Sequence, residues 1–351
     1  MTKKIIQLLI FLGLGVFFIW FSVKDFKPED VEIIKSSLLG ILNAKSIFLI
    51  VLSMLSGMLA HFFRALRNIL LIDPLGYRVR KTTAFYSVMT CYLANLAIPR
   101  LGEVLRCTLL QRYDQVPFQK SLGTVVADRM FDLLIFAFLF ILILFLNSEL
   151  ISSLGVKEQF ALWIGGKWSM IWEMKIAIVF ILLILTVGLV YYLRRKKKSG
   201  KKQSKIAAFI KKIVLGLWQG LISVKDLKHP YLFVIYTIAI WVCYYFGTYF
   251  CISAFDFLQH LSPMPPFIIL VVGAIGFMIA QGGLGAYPLF VAGILLLYNI
   301  DYAQGLAAGW IGWSAQTLMI LIVGFASLIL ASFLKVENRA TLPSVSTDEK
   351  K

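Results

Sequence analysis

Long apolar runs alternate with short polar segments along this chain. Six runs of about twenty residues are long enough to cross a bilayer as helices, and they cover residues 5–23, 46–63, 126–146, 175–193, 231–254 and 303–334. A spanning segment must satisfy its own backbone hydrogen bonds, and runs of this kind do so as helices. The pattern therefore predicts an all-α integral membrane protein, a helical bundle with about six full spans.

Two further apolar blocks, residues 82–110 and 267–300, are each broken by turn-forming residues. The breaks are AIPRLGE at residues 97–103 and QGGLGAYP at residues 281–288. The limbs on either side have about ten to seventeen residues, fewer than the roughly twenty that a full crossing needs. We predict two re-entrant helical hairpins with tips at residues 99–103 and 282–285. Such a matched pair of broken helices indicates a transport site near the bilayer midplane.

Positive charge in loops marks the cytoplasmic side of a membrane protein. The basic segment 194–212 is therefore predicted to be cytoplasmic, and the acid-containing segment 147–173 external. A second cytoplasmic loop is predicted from Arg64, Arg67, Arg78, Arg80 and Lys81. No Lys or Arg lies between His229 and Leu334. Counting the predicted spans from these cytoplasmic and external loops places both the N-terminus and the C-terminus in the cytoplasm.

The predicted elements follow the same order in both halves of the chain, with opposite orientation. Each half has a span, an interfacial amphipathic segment, a second span, a hairpin and a third span. We expect a single transmembrane domain over residues 1–335, built of inverted repeats at about 1–147 and 174–335, and a polar cytoplasmic tail at 336–351. The alternative is that the two amphipathic segments are unrelated linkers.

Charged residues within the apolar blocks are the first candidates for a site, because their burial is costly. On the first hairpin, Glu103 is spaced to reach both Arg100 and Arg106 on a helix. The three could present net positive charge to a cavity, or form an ion-pair cluster that only stabilises the hairpin.

A second charged group opens the span that follows. Asp128 and Asp132 are one helical turn apart and share a face, which could receive a guanidinium group from the hairpin. With Arg129 between them, they could instead be ordinary residues of a helix start. Arg64 and Arg67 could meet a phosphate head group, or serve only as topology markers.

The second hairpin carries uncharged candidates. Its glycines would let a ligand approach backbone N–H groups, and a half-helix that begins there could bind an anion. The alternative is a tight turn with close helix packing. The candidate residues are Gln281, Gly282, Gly283, Gly285 and Tyr287.

Composition narrows the possible functions. The net charge of +17 lies mostly at the ends of spans, which is typical of topology and lipid head-group contacts rather than of nucleic-acid binding. His61, His229 and His260 are dispersed, so no metal site is predicted. The sequence has no nucleotide-binding or hydrolase motif, and we expect neither a cofactor nor an enzyme.

Three segments resemble signatures of the lysylphosphatidylglycerol synthase transmembrane region, or flippase-like domain family. They are NLAIPRLGEVLR at residues 95–106, DRMFDL at 128–133 and GGLGAYP at 282–288. The resemblance implies a domain that moves a charged phospholipid between leaflets of the bacterial cytoplasmic membrane, here without a synthase domain. It also implies that Arg100, Glu103, Arg106, Asp128, Arg129 and Asp132 line the head-group path opposite residues 281–287.

We therefore expect a flippase-like protein that translocates an anionic lipid head group, with an anionic phospholipid or a polyprenyl-phosphate lipid as partner. One alternative is an intramembrane enzyme acting on a lipid phosphate, with Glu103 or Asp128 as acid or base. Another is a small-solute transporter or a scaffold. The lipid, the energy source and the oligomeric state stay open, with a homo-oligomer among the possibilities.

Overall fold

The computed structural model describes residues 13, 15–24, 26–146 and 226–335. Within these ranges all regular secondary structure is helical. The predicted span 175–193, the external segment 147–173, the basic segment 194–212 and the tail 336–351 lie outside the described residues. The helices are α1 (residues 15–23), α2 (Pro28–Gly40), α3 (Ala44–Ile72), α4 (Lys81–Ala97), α5 (Leu101–Asp114), α6 (Phe118–Leu146), α7 (Pro230–Ser253), α8 (Met264–Ile279), α9 (Ala286–Leu296) and α10 (Tyr302–Ser332).

Three of these helices are long and apolar enough to cross a membrane: α3 with its 3-10 extension to Leu75, α7 and α10. Helix α6 continues through the predicted span 126–146. Helix α3 starts at an N-cap, where the Asn43 side chain accepts a hydrogen bond from the backbone N–H of Ser46. It extends nine residues beyond the apolar run 46–63, to Ile72. The described part of the chain is therefore helical, with helices that could cross a membrane. The number of crossings and the inverted repeat remain predictions.

Small polar side chains join α3, α7 and α10. The Ser46 hydroxyl donates to the carbonyl of Ala254, and the Ser53 hydroxyl donates to the carbonyl of Gly247, each at 2.6 Å. From α10, the Gln316 amide donates to the backbone and hydroxyl oxygens of Ser53 at 3.2 Å. Serine and glycine at such crossings let helix backbones approach closely in a membrane protein. These hydrogen bonds join the three long apolar helices to one another.

The first hairpin consists of α4 and α5, which are interrupted at residues 98–100. Arg100 there has a left-handed backbone, with φ of 64°. Beyond the break, the Gly102 N–H donates to the side-chain oxygen of Asn95 at 2.8 Å. The break predicted from the AIPRLGE segment is confirmed, but the tip lies slightly before the predicted 99–103, because α5 already begins at Leu101.

The second hairpin consists of α8 and α9, joined by a 3-10 turn at Gln281–Gly283. Gly282, Gly283 and Gly285 all have positive φ, which L-residues other than glycine rarely adopt. The Gln281 amide donates to the backbone oxygens of Asn95 at 2.6 Å and Leu96 at 3.3 Å. The tip of the second hairpin therefore contacts the end of α4, next to the first break. The opposite orientation of the two hairpins in the membrane remains a prediction.

Candidate functional site

Two arginines of α3 face two aspartates of α6. Arg67 donates through Nε to Asp128 at 2.8 Å and through Nη2 to Asp132 at 2.7 Å. Arg64 forms an ion pair with Asp132 and lies 3.5 Å from Asp128. Arginines three residues apart and aspartates four apart each occupy one helix face, so the two helices can satisfy each other's charges. Arg67 and Asp128 are both 0% exposed and Asp132 is 16% exposed, so the centre of this ion-pair network is buried.

Helix α7 supplies further contacts to Arg64 and Arg67. The Arg67 guanidinium donates to the Thr237 hydroxyl at 3.3 Å and lies 5.7 Å from the centre of the Phe233 ring. The Arg64 guanidinium donates to the Tyr244 hydroxyl at 3.4 Å. Hydroxyl acceptors and an aromatic face each lower the cost of burying a guanidinium group. The α3 arginines are therefore held on two sides and have little freedom to move.

Arg106 of α5 enters the same network with far fewer contacts. It is 1% exposed, and its Nη1 lies 3.6 Å from Asp128 Oδ2. Its Nε and Nη2 atoms are buried and have no hydrogen-bond partner among the described residues. Leaving charged donors buried and unsatisfied carries a large desolvation penalty. Among the described residues Arg64 Nε is also buried without a partner, but Arg106 has two such nitrogens and therefore the largest free capacity for an acceptor in this network.

We define the arginine cluster as Arg64, Arg67, Arg106, Asp128 and Asp132. Three guanidinium groups meet two carboxylates within it, which leaves one excess positive charge in a buried site. Excess positive charge in a buried site favours binding of an anion. The cluster can therefore accept one anionic group, and Arg106 has two free N–H-bearing nitrogens to offer it.

A polar bridge connects the hairpin tips to α6. The Asn95 amide donates to the Glu103 carboxylate at 3.3 Å, while its backbone oxygen accepts from Gln281. Glu103 in turn lies 3.5 Å from Nη2 of Arg129, the residue after Asp128. The side chains of Glu103 and Arg129 are 23% and 39% exposed, so this bridge is more open than the arginine cluster. These contacts connect the hairpin tips to α6 beside the cluster.

Several sequence predictions about these charges need correction. Glu103 forms no ion pair with Arg100 or Arg106, and its carboxylate instead contacts Arg129 and Asn95. Arg100 is exposed and has no ion-pair partner among the described residues. Arg64 is not a loop residue, and neither is Arg67: both lie within α3 and are buried by the aspartates of α6.

The prediction that Asp128 and Asp132 share a face that receives guanidinium groups is confirmed. The sequence predicted only in part which helices supply these guanidinium groups. The hairpin supplies Arg106, but the closest contacts come from Arg64 and Arg67. The sequence offered no signal for Asn95, Thr237 or Tyr244 as partners. Neutral polar residues are common in membrane helices, and nothing in their spacing indicates which of them meet.

Some backbone N–H groups of the second hairpin turn are already hydrogen-bonded and are not available to an anion. The N–H groups of Gly283 and Leu284 donate within the turn, to the carbonyls of Ala280 and Gln281. The Gly282 carbonyl accepts from the Trp313 indole at 2.8 Å. These bonds are those of a tight turn with close packing, which is the alternative considered for the glycines.

Tyr287 has a packing role in this hairpin. Its ring fills the space beside Gly273, where a Cβ atom would lie 2.7 Å from the tyrosine ring, and it lies 5.0 Å from the ring of Phe277. Of the second-hairpin candidates, Gln281 is the residue that the structure joins to the first hairpin. As regards metals, the described part of the chain has no group of three or more His, Cys, Asp or Glu residues that could hold an ion.

Comparison with known protein families gives a match over most of the chain. The model of the lysylphosphatidylglycerol synthase TM region family matches residues 4–324. The chain therefore belongs to this family, as the three sequence segments indicated. No curated protein and no solved structure matches the chain. Family membership and the long apolar helices identify a multi-pass membrane protein whose function concerns membrane lipids.

Proposed function

We propose that this member of the lysylphosphatidylglycerol synthase TM region family moves an anionic lipid head group between the two leaflets of its membrane. The observation that carries this proposal is the buried guanidinium group of Arg106, whose Nε and Nη2 lack partners. The arginine cluster around it has one positive charge more than it has carboxylates. A lipid phosphate supplies both the negative charge and the acceptor oxygens that are missing.

The chemistry of arginine fits this ligand. A guanidinium group presents its N–H donors in a planar fork that matches two oxygens of one phosphate. Desolvating a phosphate inside a membrane is costly, and preformed donors in a buried site offset that cost. Arg64 and Arg67 contribute less directly, since the aspartates already engage them. They engage Asp128, and the shortest distance from its carboxylate to the Arg106 guanidinium group is then 3.6 Å, between Oδ2 and Nη1.

The ligand class is a lipid with an anionic phosphate head group, either an anionic phospholipid or a polyprenyl-phosphate lipid. Its tails remain in the bilayer while the head group passes the cluster. The process involves movement without covalent chemistry and uses no bound cofactor. The protein would act in the bacterial cytoplasmic membrane with both termini in the cytoplasm, where the basic segments meet anionic lipid.

The test is a leaflet assay in proteoliposomes that contain fluorescent phosphatidylglycerol, with dithionite quenching of the outer leaflet. Arg106→Gln removes the fork and the charge, and a charge-assisted hydrogen bond contributes about 1.5–3 kcal/mol. We expect the rate of lipid movement to fall by about tenfold or more. Arg112→Gln is the matched control, because Arg112 lies on the same helix α5 but is exposed, and its rate should equal that of the wild type.

Folding does not obscure this comparison. Removing Arg106 loses a long 3.6 Å contact with Asp128 but also removes a buried cation with two unsatisfied nitrogens, and Arg64 and Arg67 still pair with Asp128, so the variant should be close to the wild type in stability. Thermal unfolding in detergent checks that point. Wild-type proteoliposomes that move lipid no faster than protein-free vesicles would overturn the proposed function. Equal rates for Arg106→Gln and Arg112→Gln would remove the arginine cluster from it.

A further inference from the structure

His61 of α3 is a buried ionisable residue that the proposed head-group site does not use. It is 5% exposed, and its Nδ1 atom has no hydrogen-bond partner among the described residues. Its ring lies 4.2 Å from the ring of Tyr92 and 6.1 Å from that of Tyr244, centre to centre. An ionisable residue buried inside a membrane protein is a candidate for a functional role, because its burial is costly.

The two charged groups that act most directly on His61 are both positive, and each is itself paired with a carboxylate, Arg64 with Asp132 and Arg129 with Glu103. Arg64 lies one helical turn further along α3, and Arg129 of α6 lies 5.7 Å from the centre of the Tyr92 ring. Helices α4 and α7 present Tyr92 and Tyr244 to the imidazole. Helix α10, which also packs on α3, has no Asp, Glu, Lys, Arg or His. A proton on His61 would thus add a third positive charge beside two arginines.

We propose that His61 is a proton-binding site that fills when an anionic head group occupies the arginine cluster, so that a proton accompanies the lipid. This inference rests on the proposed function. The proton comes from the aqueous side at which the head group enters, and it leaves with the head group on the other side.

The coupling follows from electrostatics at close range. The anion cancels the excess charge of the cluster, and Arg64 belongs both to that cluster and to the surroundings of His61. The Tyr244 hydroxyl accepts from Arg64 while its ring faces His61, which gives a second physical connection. Coupling of this kind is reciprocal: if the anion favours the proton, the proton favours the anion to the same extent. Head-group affinity should therefore fall as the pH rises.

The linkage can be measured by isothermal titration calorimetry on the purified full-length protein. The probe is dioctanoyl phosphatidylglycerol, titrated at constant pH in two buffers with different enthalpies of ionisation. The difference between the buffers gives the number of protons taken up with each lipid. We expect uptake of up to one proton by the wild type and none by His61→Gln, which still binds the lipid. His229→Gln, which changes an exposed histidine, should behave as the wild type does.

The outcomes separate the two proposals. Absence of lipid binding by the wild type would overturn the proposed function. Binding without proton uptake by the wild type, or equal uptake by His61→Gln, would overturn the role of His61 and leave the head-group site in place. If His61→Gln does not fold, the wild type still decides: its affinity should fall by up to about tenfold per unit of rising pH for one linked proton, and a constant affinity between pH 6 and pH 8 contradicts the proposal.

A transport measurement extends the same test. In proteoliposomes with a pH gradient, a lipid that moves with a proton accumulates in the leaflet on the side of higher pH. We expect this bias for the wild type and for His229→Gln, relative to protein-free vesicles. Its persistence in His61→Gln would contradict the proposal.

Discussion

Replacement of Asp128 by asparagine is expected to lower the free energy of unfolding by about 3–5 kcal/mol, the usual cost of removing one partner from a buried ion pair. The substitution keeps the size of the side chain and removes its charge. Three guanidinium groups would then face only the carboxylate of Asp132, which is 16% exposed. The asparagine side chain would also bring an NH2 group close to the N–H groups of Arg67, and two donors cannot form a hydrogen bond with each other. Unfolding titrations in a denaturing detergent measure this loss.

Two further variants distinguish the ion-pair network from a general effect of losing an acid. Asp256→Asn changes an exposed carboxylate near Gln259, and a surface change of this kind should alter stability by less than about 0.5 kcal/mol. The double variant Arg67→Gln with Asp128→Asn removes one charge of each sign. Its loss should be smaller than the sum of the two single losses by about 0.5–3 kcal/mol. Strict additivity would contradict the network.

Gly102→Ala is expected to destabilise the first hairpin by about 1–3 kcal/mol, because an added methyl group overpacks a closed contact. A Cβ atom at Gly102 would collide with the carbonyl oxygen of Cys91 and lie 2.7 Å from the Asn95 side-chain oxygen. The obstacle is mostly backbone of α4, which cannot rotate away. Helix α5 must therefore shift, and the hydrogen bond from the Gly102 N–H to Asn95 lengthens or breaks.

The matched control is Gly293→Ala in α9, where a Cβ atom meets nothing within 4 Å. Alanine should be neutral or favourable there, since it is the better helix former by up to about 1 kcal/mol. Both variants can be compared by thermal unfolding in detergent, followed by tryptophan fluorescence. Because α5 also carries Arg106, Gly102→Ala should slow lipid movement as well as lower stability. Equal unfolding temperatures for the two variants would show that α4 and α5 are not closely packed at Gly102.

The helical class and both breaks could be predicted because they depend on local chemistry. Apolar runs form helices in a membrane, and proline or glycine interrupts them. The extent of α3 was missed for a related reason. Arg64 ends the apolar run, so the pattern indicated a loop, whereas the aspartates of α6 compensate its charge and the helix continues to Ile72. Partners distant in sequence decided that boundary.

The site was predictable in its membership and much less in its pairing. Asp128 and Asp132 were placed on one face by their spacing, and this spacing holds in three dimensions. Glu103 was assigned to its sequence neighbours Arg100 and Arg106, since only local partners can be read from one sequence. Its contacts are Asn95 and Arg129, which chain folding brings near. Asn95 also contacts Gln281 through a backbone oxygen, and backbone contacts leave no trace in residue types.

The guanidinium group of Arg106, whose Nε and Nη2 have no partner among the described residues, is the group that we propose binds the phosphate of a lipid head group. The most direct measurement compares the thermal unfolding of the purified protein with dioctanoyl phosphatidylglycerol and with dioctanoylglycerol, which lacks the phosphate. A ligand that binds only the folded state raises the unfolding temperature with its concentration. We expect a rise with the phosphate-containing lipid for the wild type and Arg112→Gln, and little or none for Arg106→Gln. An equal rise for Arg106→Gln, or an equal rise with dioctanoylglycerol, would contradict it.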